Sequence, residues 1–166
     1  MDITFAGNKV NLEGKEIKVG DMAPEFKAVK RDLSDFNSAD LKGKIVVYSV
    51  APSIDTPVCA IQATTFNEEA TKLSEDVKIV TVTVDLPFAQ ERFCSVKGIE
   101  NADIVSDYKY REFGEKYGFM IEEFKLLARG VVIVDRDGKV AYVEYVPEVT
   151  HEVNFEKALE AVKKLS

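Results

Sequence analysis

The chain has 166 residues, 46% apolar and 31% charged, the profile of a folded globular protein rather than a disordered one. Lys plus Arg number 22 against 29 Asp plus Glu, and the net charge of −7 argues against a nucleic-acid groove or an anionic membrane surface as the main partner. A single His, His151, excludes a centre built from several histidines, and two cysteines do not make a disulfide scaffold. The start, Met1-Asp2-Ile3-Thr4-Phe5, lacks the basic and apolar segments of a signal peptide. The longest apolar runs, Ile45–Val50 and Val131–Val134, fall short of the ~18–20 residues of a membrane span. A cytoplasmic location is the default expectation. With no linker, repeat or low-complexity stretch, residues 1–166 are expected to form one domain.

In chain order, short β-branched stretches at Ile3–Phe5, Lys9–Leu12 and Ile17–Val19 surround Gly7-Asn8 and Gly14 and predict a small hairpin region. Lys44–Val50 is a nearly continuous apolar run, as expected of a strand covered on both faces. After Pro57, the apolar residues Ala63, Phe66, Ala70 and Leu73 recur at helical spacing. Val77–Val84 predicts a second buried strand and Phe88–Val96 a helix that stops at Gly98. A short strand and a short helix at Phe113–Tyr117 come next. Val131–Asp135 and Lys139–Val146 flank Asp137-Gly138, a strong hairpin signal. Phe155, Leu159, Val162 and Leu165 mark a closing helix, with Lys163 and Lys164 suiting the negative end of its dipole. Strand–helix–strand followed by an antiparallel hairpin and a final helix predicts an α/β, thioredoxin-like three-layer sandwich with a central mixed sheet and an N-terminal β-hairpin.

The segment richest in chemistry is Val50-Ala51-Pro52-Ser53-Ile54-Asp55-Thr56-Pro57-Val58-Cys59. It joins the C-terminal end of a buried strand to a helix, the place where open α/β sheets build their sites. Thr56 suits the N-cap and Pro57 the first helical position, which makes Cys59 the third. A sulfur in a first turn faces free N–H groups and the positive end of the helix dipole, and both favour thiolate over thiol. A thiolate can attack the weak O–O bond of a peroxide. A lone Cys on an inward helix face is otherwise a small buried hydrophobe. Here the cap, the dipole and the strand-end position all act on one sulfur.

Pro52–Cys59 (PSIDTPVC) resembles the active-site loop of the peroxiredoxins, and more narrowly of their bacterial thiol peroxidase subfamily. The resemblance runs the length of the chain, through Phe5-Ala6-Gly7-Asn8, Gly20-Asp21-Met22-Ala23-Pro24, the loop, Cys94 and Arg129. It implies that Cys59 is the peroxidatic cysteine, passing through a sulfenic acid. It further implies that Thr56 offers its hydroxyl to the thiolate and the peroxide, that Pro52 shields the sulfur, and that Arg129 is the active-site arginine. Read alone, Arg129 would be a solvated strand-edge charge. The resemblance makes Cys94, 35 residues after Cys59, the resolving cysteine of an intramolecular redox disulfide. It also implies reduction by thioredoxin, a hydroperoxide substrate with a preference for alkyl hydroperoxides, a homodimer, and no cofactor or metal. Phe88, Phe93, Phe119 and Met120 are candidates for the pocket wall, although aromatics at such spacing are more often core.

Other classes remain as alternatives. A disulfide reductase on this fold would carry Cys-x-x-Cys, whereas Ala60-Ile61-Gln62 follows Cys59. A copper carrier would need closely spaced cysteines beside His151. Glutathione-peroxidase-like chemistry would need a Trp, and the chain has none. A redox sensor or holdase could use the same cysteines without catalytic turnover.

Overall fold

The computed structural model describes residues 1–99 and 103–166. The N-terminal hairpin is present, with β1 (Ile3–Phe5) and β2 (Asn8–Val10) pairing antiparallel. β3 (Leu12–Glu13) leaves it, and Ile17–Val19 corrects the expectation, for it is not a strand. Ile17 is nonetheless buried, and its N–H donates to Tyr145 Oη at 2.8 Å. A further hairpin, β4 (Lys27–Lys30) with β5 (Asp35–Asn37), was not foreseen. Only Ala28 and Val29 of β4 are buried, between two lysines, too short a pattern to signal a strand.

The elements that follow match expectation closely, except that the two-residue strand β9 (Met120–Ile121) is not among those the sequence predicts. They are β6 (Ile45–Val50), α1 (Pro57–Ala70), β7 (Val77–Thr83), α2 (Pro87–Lys97), β8 (Asp103–Ser106), α3 (Glu112–Tyr117), β9 (Met120–Ile121), β10 (Gly130–Val134), β11 (Val140–Tyr145) and α4 (Phe155–Leu165). The helix boundaries have local causes. Proline occupies the first position of α1 and of α2, and α2 ends on Gly98 at φ 65°, a left-handed stop. Asn154 caps α4 by accepting from the Lys157 N–H.

Seven strands form one mixed sheet in the order β11-β10-β6-β7-β8-β4-β5, in which β6, β7 and β8 run parallel. β3 pairs with β9 apart from it. Every residue of β6 is buried, and successive side chains serve opposite faces. Val46, Tyr48 and Val50 join an apolar cluster with Phe26, Phe113 and Tyr117. Ile45 and Val47 join another with Ala63 and Phe66 of α1, Phe93 and Cys94 of α2, and Ala158 and Val162 of α4. Each fully buried side chain of this kind stabilises the fold by roughly 1.5–3 kcal/mol. The result is the expected thioredoxin-like three-layer α/β arrangement. No described helix is long and apolar enough to cross a membrane.

Candidate active site

The loop after β6 delivers Cys59 to the middle of the molecule. Ala51 continues toward β7, its N–H donating to Val82 O at 3.2 Å, and Pro52 is buried behind it. Thr56 has extended backbone angles and starts α1 by accepting the Cys59 N–H on Oγ1 at 3.2 Å. Its own hydroxyl proton reaches Ser53 O only at 3.5 Å, the limit of a hydrogen bond. Thr56 is therefore bound to the backbone of Cys59 rather than to its sulfur. Cys59 is a free cysteine, 1% exposed.

The strand ladder brings Arg129 to this sulfur across 70 residues of sequence. β10 runs antiparallel to β6, with Gly130 opposite Val50, so the residue before β10 meets the loop that leaves β6. A side chain at position 130 is impossible there, because its Cβ would lie 2.0 Å from Glu144 O. Arg129 is 2% exposed, and its guanidinium makes three directed contacts. Nε donates to Val149 O at 2.6 Å, Nη1 to Gln62 Oε1 at 2.9 Å, and Nη2 to Cys59 Sγ at 3.1 Å. No Asp or Glu among the described residues pairs with it. A buried cation surrounded by neutral acceptors lacks a counter-charge, and Cys59 Sγ is the contacting atom able to carry one.

Gln62 was not singled out from the sequence. It follows Cys59 by three residues on the same face of α1, and it is 1% exposed. Its Nε2 donates to Ser49 Oγ at 2.8 Å and to Val50 O at 3.1 Å, which turns Oε1 toward Arg129. The available signal was a polar residue on an otherwise apolar helical stripe beside Ala63 and Phe66.

Cys94 lies on α2, also free and 3% exposed, packed in the cluster that contains Phe93 and Ile104. Burial pushes its thiol up from the usual range, Glu91 adds to the shift, and the Arg31 guanidinium opposes it. The two sulfurs are not bonded to each other, and each has its own polar neighbours.

The proposed wall residues are dispersed. Phe119 and Met120 belong to the cluster opposite α1, Phe93 to the cluster beneath α2, and Phe88 is largely exposed. Phe119 stacks on Tyr145 with ring centroids 4.4 Å apart, a core role. His151 is exposed on a turn after Glu148.

The chain is similar to known proteins over nearly its whole length. The family model described as Redoxin matches residues 18–161. A thiol peroxidase of Bacillus subtilis is 49% identical over 164 residues, covering 99% of this chain and 98% of that protein. A thiol peroxidase of Halalkalibacterium halodurans is 50% identical over 161 residues, covering 97% and 96% respectively. Among solved structures, a peroxiredoxin-like protein from Aquifex aeolicus superposes with a TM-score of 0.93 at 42% identity, over 99% of this chain and 97% of that one. The chain thus belongs to the Redoxin family, among its bacterial thiol peroxidases, and is a peroxidase that reduces peroxide at the expense of thiols.

Proposed function

We propose that Cys59 is the peroxidatic cysteine of this enzyme and that Cys94 resolves it within the same chain. The contact between Arg129 Nη2 and Cys59 Sγ at 3.1 Å carries the reading, because a buried guanidinium without a carboxylate is completed by a thiolate. In the first step the Cys59 thiolate attacks one oxygen of a hydroperoxide. The O–O bond breaks, sulfur gains that oxygen as a sulfenic acid, and the other oxygen leaves as alkoxide or hydroxide, which takes up a proton. Arg129 holds the charge as it moves from sulfur to the leaving oxygen. Thr56 keeps the sulfur in the first turn, and Pro52 excludes water beside it.

In the second step the Cys94 sulfur attacks Cys59, an S–S bond replaces S–OH, and water leaves with the Cys94 proton. A dithiol, by family thioredoxin, then exchanges with the disulfide, restoring both thiols and becoming oxidised itself. A single domain over residues 1–166 contains both cysteines, and free thiols suit the reducing cytoplasm. Hydrogen peroxide and alkyl hydroperoxides are the substrates, with the preference for the latter that the resemblance to the thiol peroxidases implies. A homodimer would cover Leu86, Phe88 and Val96, apolar side chains that α2 and its start leave more than half exposed.

The test is the intact mass of the reduced protein after one equivalent of cumene hydroperoxide and blocking of free thiols. Loss of both thiols at monomer mass, with no added oxygen, is the expected result. A monomer with an added oxygen and a blocked Cys94 would remove the resolving role, a covalent dimer would place the resolving sulfur on another chain, and two blocked thiols would remove the peroxidatic role.

A further inference from the structure

Asp85, between β7 and α2, has no part in the chemistry above, yet it joins the surroundings of the two cysteines. Its Oδ1 accepts from Ser53 Oγ at 2.7 Å. Its Oδ2 accepts the Ile54 N–H at 2.8 Å and Thr83 Oγ1 at 2.7 Å. The Asp85 carbonyl accepts from Ser106 Oγ at 2.5 Å, which fixes the residue to the end of β8. Thr83 Oγ1 in turn accepts from Gln90 Nε2 at 3.0 Å. Gln90 is a fully buried residue of α2, one turn before Cys94. Polar contacts therefore run unbroken from the Cys59 loop, through Asp85 and Thr83, to the helix that carries Cys94.

An apolar contact repeats the connection. The side chain of Ile54, whose N–H is held by Asp85, packs in the same cluster as Phe93 and Cys94. The loop and the first turns of α2 are thus fastened to each other at one carboxylate.

We propose that Asp85 is a positioning residue that latches the Cys59 loop to α2, so that loop and helix loosen together when Cys94 reaches Cys59. This rests on the reading of Cys94 as the resolving cysteine. The bond needs the two sulfurs about 2 Å apart, and they are separate in the closed form. While latched, Cys59 stays seated against Arg129 for the first oxidation. The latch then sets how long the sulfenic acid waits before Cys94 arrives, and so its exposure to a second peroxide that would carry it to the sulfinic acid.

The test compares the wild type with Asp85→Asn and Ser53→Ala in three measurements. Hydrogen exchange of the reduced protein should rise together over residues 51–60 and 87–94 in both variants, with the β10–β11 hairpin unchanged. After one equivalent of cumene hydroperoxide, disulfide formation should be roughly tenfold faster in Asp85→Asn, the worth of one hydrogen bond to a charged group, and a few-fold faster in Ser53→Ala. Oxidation of Cys59 in a Cys94→Ser background should be slower in Asp85→Asn. This opposed pair of rate changes is what general weakening of the fold would not produce. Exchange that rises in only one of the two segments, or throughout the chain, overturns the latch, as does disulfide formation that is unchanged or slower. Failure of the resolving role reads differently, for Cys94→Ser alone would then sustain full thioredoxin-dependent turnover, whatever the exchange pattern.

Discussion

Gln62 holds Arg129 by the guanidinium nitrogen next to the one that meets the Cys59 sulfur. Its Oε1 accepts from Arg129 Nη1 at 2.9 Å while its Nε2 is committed to Ser49 and Val50. The amide cannot rotate without losing two bonds, so the plane of the guanidinium is fixed before any substrate arrives. Gln62→Ala should leave the fold in place and slow the first oxidation by about tenfold, since the hydrogen bond lost is one to a charged group. Gln62→Glu should also slow it, because a carboxylate beside Arg129 competes with Cys59 for the same positive charge. Single-turnover oxidation by cumene hydroperoxide measures both, and rates equal to wild type would show that Val149 and the packing alone orient Arg129.

Thr56 performs a structural task that its neighbour's chemistry depends on. Its Oγ1 accepts the Cys59 N–H, so Thr56→Val removes the N-cap of α1 at a cost of about 1 kcal/mol. Thr56→Ser should restore both stability and first-step rate. Urea unfolding together with single-turnover kinetics checks this, and a Ser variant as impaired as the Val variant would mean that the methyl group, not the hydroxyl, is what matters.

Disulfide formation should quicken as pH rises. Burial lifts the Cys94 thiol above the usual range, so the thiolate that the proposed mechanism requires is scarce near neutrality and grows with alkalinity. Arg31 pulls the other way and is itself shared with Glu91, at 3.3 Å. Arg31→Gln should move the rate profile to higher pH and Glu91→Gln to lower pH. Identical profiles in the three proteins would show that neither charge reaches the sulfur.

Asp107 gives stability a second pH dependence. It is fully buried and accepts the Phe113 and Gly114 N–H groups at 3.0 and 2.9 Å, yet burial outweighs those bonds and lifts its carboxyl from 3.8 to about 6. The folded protein therefore holds this proton more tightly than the unfolded chain. The corresponding stability is present below pH 3.8 and is lost as pH rises through about 6, a change of roughly 3 kcal/mol. Asp107→Asn should flatten this part of the curve. Asp76, drawn down to about 2 by its hydrogen bonds with Ser74 and Arg136, acts in the opposite sense and below pH 4, so the two windows separate. Denaturant midpoints between pH 4 and 7 that fall equally in both proteins would exclude Asp107 as the cause.

Legibility from the sequence varied with how local the determining physics was. Thr56, Pro57 and Cys59 were readable because a cap, a first-turn proline and a helix N-terminus act within four residues. β6 and β7 were readable because strands covered on both faces are continuously apolar. β4 and β5 were not, since an edge hairpin with two buried residues in its first strand has no periodicity to detect. Arg129 could be assigned only by resemblance, because the Val50–Gly130 register that carries it to Cys59 belongs to the ladder and not to either segment. Gln62 and Asp85 escaped for a related reason. Their partners are strand residues, a loop N–H and hydroxyl, and the buried Arg129, and nothing in the sequence states that these meet.

The pairing of Gly130 with Val50 has one further consequence. Arg129 is anchored beside an interior ladder of the sheet, whereas Cys59 hangs on a loop and a first helical turn. On the proposed cycle the sulfur departs to meet Cys94, while the guanidinium stays where the sheet holds it. Half of the site would then serve as a mould for the other half, and each return of the reduced loop would be a docking onto a standing shape rather than a fresh search for one.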